Sequence, residues 1–169
     1  MRRLTVVQLL PALESGGVER STLEIADALV RAGHRSVVVS AGGRLLPDLL
    51  AGGSEHVALP IGRKSLATLR HVRSLRRLFA SLRPDIVHAR SRLPAWLARG
   101  ALRGLARRPA FVTTVHGLNS AGVYSGVMAS GDRVICVSNT VREHVVRQWP
   151  ATDPDKLVVI ERGIDPAQF

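Results

Sequence analysis

Hydrophobic positions fall into two rhythms that alternate along this chain. Seven apolar runs have the length of a strand: "LTVVQLL" (residues 4–10), "SVVVSA" (36–41), "HVALP" (56–60), "DIVHA" (85–89), "AFVTTVH" (110–116), "DRVICVS" (132–138) and "KLVVIE" (156–161). They are continuous and rich in Val and Ile rather than alternating, as in strands covered on both faces. Between them the period lengthens. Residues 18–32 place Val18, Leu23, Ile25, Ala26, Leu29 and Val30 on one helical stripe that stops at Gly33. Further helices are expected over 45–51, 65–82, 95–106 and 139–149, with Gly100 and Gly104 weakening the fourth of these five. Strands alternating with helices predict an α/β domain with a mostly parallel sheet.

Composition narrows the class. A chain of 169 residues that is 46% hydrophobic and 22% charged is a globular domain with a sizeable core. It is expected to be a single domain. A single cysteine excludes an internal disulfide, and Cys136, inside "RVICVS", reads as a small core residue. The start "MRRLTVVQLLPALESGG" has two arginines and a short apolar run, but Pro11 and Glu14 end the run and no small-residue cleavage site follows. A first buried strand accounts for it better. No stretch reaches the roughly 18 apolar residues of a membrane span.

The formal charge of +11 is unevenly placed. From Arg63 to Arg108 there are thirteen Lys or Arg and one acid, Asp85, and the rest of the chain is close to neutral. Any anionic partner should meet that region. At its centre, "RKSLATLRHVRSLRRLFASLR" spaces Leu66, Leu69, Val72, Leu75, Phe79 and Leu82 three or four apart, with Arg70, Arg73, Arg76, Arg77 and Arg83 largely between them. One face is apolar and the other cationic. The apolar face cannot be buried both in lipid and on the sheet. Sheet packing is the expectation, with the cationic face left to touch an anionic membrane surface.

In parallel sheets ligands sit beyond the carboxyl ends of the strands. That rule selects residues 14–17, Arg90 to Arg92, His116–Gly117 and Ser138–Thr140, all of which follow strands. Gly16 and Gly17 precede a helix whose free N–H groups favour an anion, and glycine permits close approach and positive φ. The spacing is neither G-x-G-x-x-G nor a P-loop, so a plain strand-to-helix turn stands equally. Arg90 and Arg92 suit phosphate or carboxylate groups, or are solvated loop arginines. His116 can bond a sugar hydroxyl and share a proton, or simply cap a strand end. His88 reads as core packing. Glu19 suits the dipole of the first helix. No group of His, Cys, Asp or Glu has metal-ligand spacing.

Five stretches taken in order, "SGGVERSTLEIADALVRAGH", "RPDIVHARSRLPAW", "FVTTVHG", "DRVICVSNTVREHV" and "KLVVIERGIDPAQF", resemble the N-terminal half of GT-B glycosyltransferases of the retaining family 4. Within that family the chain is most similar to bacterial enzymes of lipopolysaccharide or related glycolipid synthesis. The resemblance implies a Rossmann-like, acceptor-side domain over residues 1–169, facing across a cleft a donor-side domain that this chain does not contain. It implies that Gly16, Gly17 and Val18 face the donor diphosphate, that His116 is catalytic beside the donor sugar, and that Arg90, Arg92, Gly117, Ser138, Asn139 and Thr140 line the acceptor side or the cleft. "ERGIDPAQF" resembles the hinge to the second domain, with Glu161–Arg162 where the family more often has Pro-Asn.

The expected function is therefore sugar transfer from a nucleotide-sugar to a glycolipid or saccharide acceptor. No metal or other cofactor is expected, and little activity without the second domain. The expected location is cytoplasmic, peripheral on the inner face of the membrane through Arg70, Arg73, Arg76 and Arg77. A basic nucleic-acid- or anion-binding domain is the alternative. Six aromatic residues are few for base stacking and no nucleic-acid module is present, so no nucleic-acid partner is expected.

Overall fold

A computed structural model describes residues 2–63 and 65–163. The strands are β1 (Thr5–Leu9), β2 (Arg35–Ser40), β3 (Glu55–Ala58), β4 (Ile86–Ala89), β5 (Ala110–Val115), β6 (Arg133–Cys136) and β7 (Leu157–Val159). All seven pair in parallel, in the order β3-β2-β1-β4-β5-β6-β7. The chain runs outward from β1 through β2 to β3, then returns to the other side of β1 as β4. The strand order thus reverses between β1 and β4, where parallel sheets open a crevice.

The helices are α1 (Gly17–Arg31), α2 (Leu46–Ala51), α3 (Arg70–Leu82), α4 (Arg92–Leu102), α5 (Val123–Gly126) and α6 (Asn139–Gln148). One sheet face carries α1 and α2 over Leu10, Leu13, Ala26, Val38 and Leu49. The larger core joins Val7, Val37 and Val87 to Leu75 and Phe79 of α3 and Ala98 and Ala101 of α4. The α/β domain with a parallel sheet expected from the pattern, Rossmann-like as the resemblance implied, is the observed fold, and Cys136 is fully buried in β6 with its thiol pushed up by burial.

Three differences are instructive. The helix expected over 65–82 opens as a 3₁₀ turn, Leu66–Leu69, capped by the Ser65 hydroxyl, and becomes α-helical only at Arg70. A 3₁₀ turn advances about 120° per residue instead of about 100°. Leu69 is consequently 61% exposed, and His71 takes a buried place that the spacing did not assign to it. The side chain of Leu66 lies outside the described residues. Second, α4 begins at Arg92, three residues early, because Pro94 falls in the first turn where its missing N–H is not needed. It runs through Gly100, where an added Cβ would stand 3.3 Å from Val72 of α3, so the glycine lets the two helices approach. Third, α5 was not anticipated. It is one turn long, too short to show a period.

Candidate functional site

The site grows from strand alternation. Side chains two apart on one strand share a face. On the α1 face of the central strands, β1 contributes Gln8, β4 contributes His88 and then Arg90, and β5 contributes Thr114 and then His116. An otherwise apolar sheet thus becomes polar toward its carboxyl end. Gln8 is fully buried and bonded at both ends of its amide: Nε2 donates to the Thr22 carbonyl of α1 at 3.1 Å, and Oε1 accepts from Arg90 at 3.2 Å. Arg90 also donates to the Ser21 hydroxyl. His88 and Thr114 bond each other at 2.7 Å. Above this floor lies a cavity of about 310 Å³, lined among others by Ser21, Glu24, Arg90, Thr114, His116 and Arg162.

Two nitrogens at this cavity are buried and lack a protein partner, Arg90 Nε and His116 Nε2. Such atoms cost about 1–3 kcal/mol each when left unsatisfied; His71 Nδ1 and Ser91 Oγ, which do not line the cavity, share that condition. His116 Nδ1 is engaged, accepting from Arg162 at 2.6 Å. Burial first, then the charges of Arg90 and Arg162, hold the His116 imidazole down to about 3. Burial, with Arg90 and His116 as lesser causes, does the same to His88. Arg90 is lowered to about 10, chiefly by burial and then by Arg162, while Glu24 works the other way. The cavity and its floor thus bring two arginines and Glu24 together with two imidazoles that burial keeps uncharged.

These facts bear on several expectations. Burial and two neighbouring cations hold the His116 imidazole uncharged in this domain. Arg90 is only 2% exposed, so it is not the solvated loop arginine of the alternative reading, and it lines the cavity. Arg92 is not beside it. As the first residue of α4, Arg92 turns to α5, donating to Ser125 Oγ at 3.3 Å and lying 5.5 Å from the Tyr124 ring centre. Ser138 Oγ caps α6 by accepting from Val141 N at 3.2 Å, while Asn139 and Thr140 are exposed in that helix's first turn. Gly117 borders open space, and nothing there demands glycine.

Gly16 and Gly17 sit where expected, at the N-terminus of α1 beyond β1. Neither adopts positive φ. A Cβ at Gly16 would meet the Glu19 carboxylate, and one at Gly17 would stand 3.0 Å from the Arg162 guanidinium; both are ends of flexible side chains that can give way. Val18 follows in the first turn, its carbonyl accepting from the Thr22 hydroxyl. Glu19, folded back over this helix end, is the anion present there. His88 proves to be a bonded core histidine, as its place in a strand suggested. Among the described residues no cluster of three His, Cys, Asp or Glu that could hold a metal is formed. The residue that sequence reasoning missed is Arg162, registered only as a departure from a hinge motif. The remaining hinge positions, 164–169, lie outside the described residues.

Residues 15–168 match the profile of Glycosyltransferase Family 4, and the chain belongs to that family. A glycosyltransferase from Rickettsia africae is 34% identical and superposes with a TM-score of 0.83 over 100% of this chain and 47% of its own. HepE of Anabaena, solved with UDP and glucose, is 17% identical with a TM-score of 0.77, over 96% of this chain and 45% of that one, a likeness of fold. A human phosphatidylinositol N-acetylglucosaminyltransferase chain is 26% identical over 91% of this chain and 35% of its own length. The chain thus spans between a third and a half of the length of these relatives, and its fold matches one half of a GT-B enzyme.

Proposed function

We propose that this domain is the acceptor-side half of a retaining glycosyltransferase, working with a donor-side domain across the cleft and inactive or nearly so without it. It moves a sugar from a nucleotide-sugar to a glycolipid or polysaccharide acceptor of the lipopolysaccharide type. The observation that carries the reading is the pair of buried, unpartnered nitrogens, Arg90 Nε and His116 Nε2, at one cavity beyond the carboxyl ends of β4 and β5. A glycosyl group has many hydroxyl acceptors to offer them. The N–H groups of the first turn of α1, next to that cavity, are fixed donors for charge that builds on the departing diphosphate. Relatives support the substrate class: HepE was solved with UDP and glucose, and the human relative is named for an N-acetylglucosaminyl donor and a phosphatidylinositol acceptor.

In this reading His116 acts as a neutral hydrogen-bond donor to a sugar hydroxyl near the anomeric carbon. It moves no proton at physiological pH. No divalent metal takes part, because the leaving diphosphate is held by amide and guanidinium donors. The exposed arginines of α3, Arg70, Arg73 and Arg77, would meet anionic headgroups and bring the site to a lipid-borne acceptor on the cytoplasmic side of the membrane. Among the described residues no helix is long and apolar enough to cross a membrane.

The test is transfer by the full-length protein, using UDP-sugars and a lipid extract with and without EDTA. Product of the donor's own anomeric configuration, formed equally in EDTA, is expected. Inverted product or a strict metal requirement overturns the mechanism. Salt-sensitive binding to RNA or DNA with no response to any nucleotide-sugar would favour a nucleic-acid binder instead.

A further inference from the structure

Arg162 follows β7 at the carboxyl edge of the sheet, and it reaches back along that edge to the end of β5. Its guanidinium donates to His116 Nδ1 at 2.6 Å. The same group stands 3.0 Å from the point a Cβ on Gly17 would occupy, so it fills the space between the imidazole and the glycine loop. It also lines the cavity that His116 Nε2 adjoins. A guanidinium has only donors. A neutral imidazole has one donor and one acceptor, and the neighbour of each nitrogen decides which is which. With Arg162 at Nδ1, the lone pair must lie there and the proton must lie on Nε2. The opposite tautomer would set an N–H against an N–H.

We propose that Arg162 is a positioning residue for His116: it holds Nδ1 as the acceptor and leaves Nε2–H as the one proton the ring offers to the cavity. The segment after β7 thereby selects the form of a histidine on β5 that is 46 residues away in sequence. It does so at the position where the chain departs from the Pro-Asn more usual in the family it resembles. The consequence for transfer rests on the reading that His116 contacts the donor sugar. The tautomer itself does not.

The measurement is a long-range proton–nitrogen correlation on this chain with ¹⁵N-labelled histidine, comparing wild type with Arg162→Ala and Arg162→Lys. In wild type, Nδ1 of His116 is expected in the unprotonated range and Nε2 in the protonated range between about pH 6 and 8. Arg162→Ala should mix the two tautomers and let the ring protonate at higher pH, and Arg162→Lys should keep the wild-type pattern. His88, bonded to Thr114 instead, should not change in any variant and so reports that the fold is intact. An unchanged His116 in Arg162→Ala, or an Nδ1–H ring in wild type, overturns the proposal.

Kinetics of the full-length enzyme add a second reading. Arg162→Ala should lower kcat about tenfold, equivalent to one charge-assisted hydrogen bond, with little change in KM. The Arg162→Ala and His116→Ala effects should not add. Full additivity would mean that Arg162 acts apart from His116 and would overturn the proposal. If no variant, wild type included, uses a nucleotide-sugar, the transferase reading fails and the nitrogen spectra alone decide this one.

Discussion

Asp85 and Asp132 stand one residue ahead of β4 and β6, at the amino end of the sheet. Arg90 and His116 stand one residue past β4 and β5, at its carboxyl end. Each acid is fully engaged by its own chain. Asp85 accepts from the Thr5 amide at 2.9 Å, from Arg107 at 3.0 Å and from Arg2. Asp132 accepts from the Phe111 amide at 2.8 Å and from Arg108 at 3.2 Å. Both carboxylates thus pin the start of another strand, β1 at Thr5 and β5 at Phe111. Both are held below the usual carboxylate range, Asp85 chiefly by the Thr5 amide. For Asp132 the largest influence, burial, pushes upward but is outweighed by the Phe111 amide and Arg108. At the other end the bonding is left incomplete, at Arg90 Nε and His116 Nε2. Polar residues flanking strands are therefore fully bonded within the chain at one end of the sheet and only partly bonded at the other.

The largest expected effect tests the unfinished end. His116→Ala should lower transfer by the full-length enzyme about 100-fold, the loss of one hydrogen-bond donor that positions the donor sugar. It should leave Tm unchanged or slightly higher, because a buried orphan is removed. A clear fall in Tm with activity intact would make His116 a structural residue and erase the contrast.

Asp85→Ala tests the finished end in the opposite sense. It strips three donors of their acceptor, one of them the Thr5 amide, and should cost about 2 kcal/mol in urea unfolding. Nucleotide-sugar binding should not change. The carboxyl group's folded value is depressed, so its contribution is present above its unfolded value and disappears as pH falls through the folded one. Wild type should therefore lose stability below about pH 4, and the variant should lose less there.

Both imidazoles give the sharper pH signature. His88 and His116 fall to about 3 in the folded chain, against about 6.5 unfolded. Between those values the unfolded state binds more protons, so stability rises with pH across that window and levels off above it. Each histidine should contribute up to about one proton taken up on unfolding. Urea titrations near pH 5 should show that uptake, and His88→Gln and His116→Gln should each remove part of it. Flat stability between pH 4 and 6.5 would mean that the carboxyl-end imidazoles are not buried as uncharged groups.

Sequence alone revealed one end of the sheet better than the other. Seven strands and the five longer helices were legible because each carries several apolar residues in one period. The rule that ligands gather at strand carboxyl ends found Arg90 and His116. It could not find their partners. Gln8 hides in an apolar run, Ser21 and Glu24 occupy ordinary helix positions, and Arg162 joins His116 across three strands of the sheet, β5 to β7. The polar alternation in "VHAR" and "TTVH" was the available sign that His88, Arg90, Thr114 and His116 share a face. The helix cap formed by Ser138 was equally open to the sequence, because a serine before a helix satisfies a cap as readily as a cleft.

The same division between engaged and unengaged polar groups recurs on α3 and yields the smallest effect. Four of its arginines, Arg70, Arg73, Arg76 and Arg77, were expected to face the membrane together. Arg76 differs from the other three: its guanidinium donates to the carbonyls of Gly100 and Ala101 at the end of α4, at 3.1 and 3.3 Å. The last carbonyls of a helix lack intrahelical partners and attract a cation. Arg70, Arg73 and Arg77 are exposed and stand outside the ion pairs formed among the described residues. On vesicles containing anionic lipid, Arg73→Ala and Arg77→Ala should each weaken binding about fivefold at moderate salt, near 1 kcal/mol per cation, and leave Tm alone. Arg76→Ala should do the reverse, lowering stability by about 1 kcal/mol with little change in vesicle binding. Equal losses of binding from all three variants would place Arg76 back on the cationic face and show that its bonds to α4 give way to lipid.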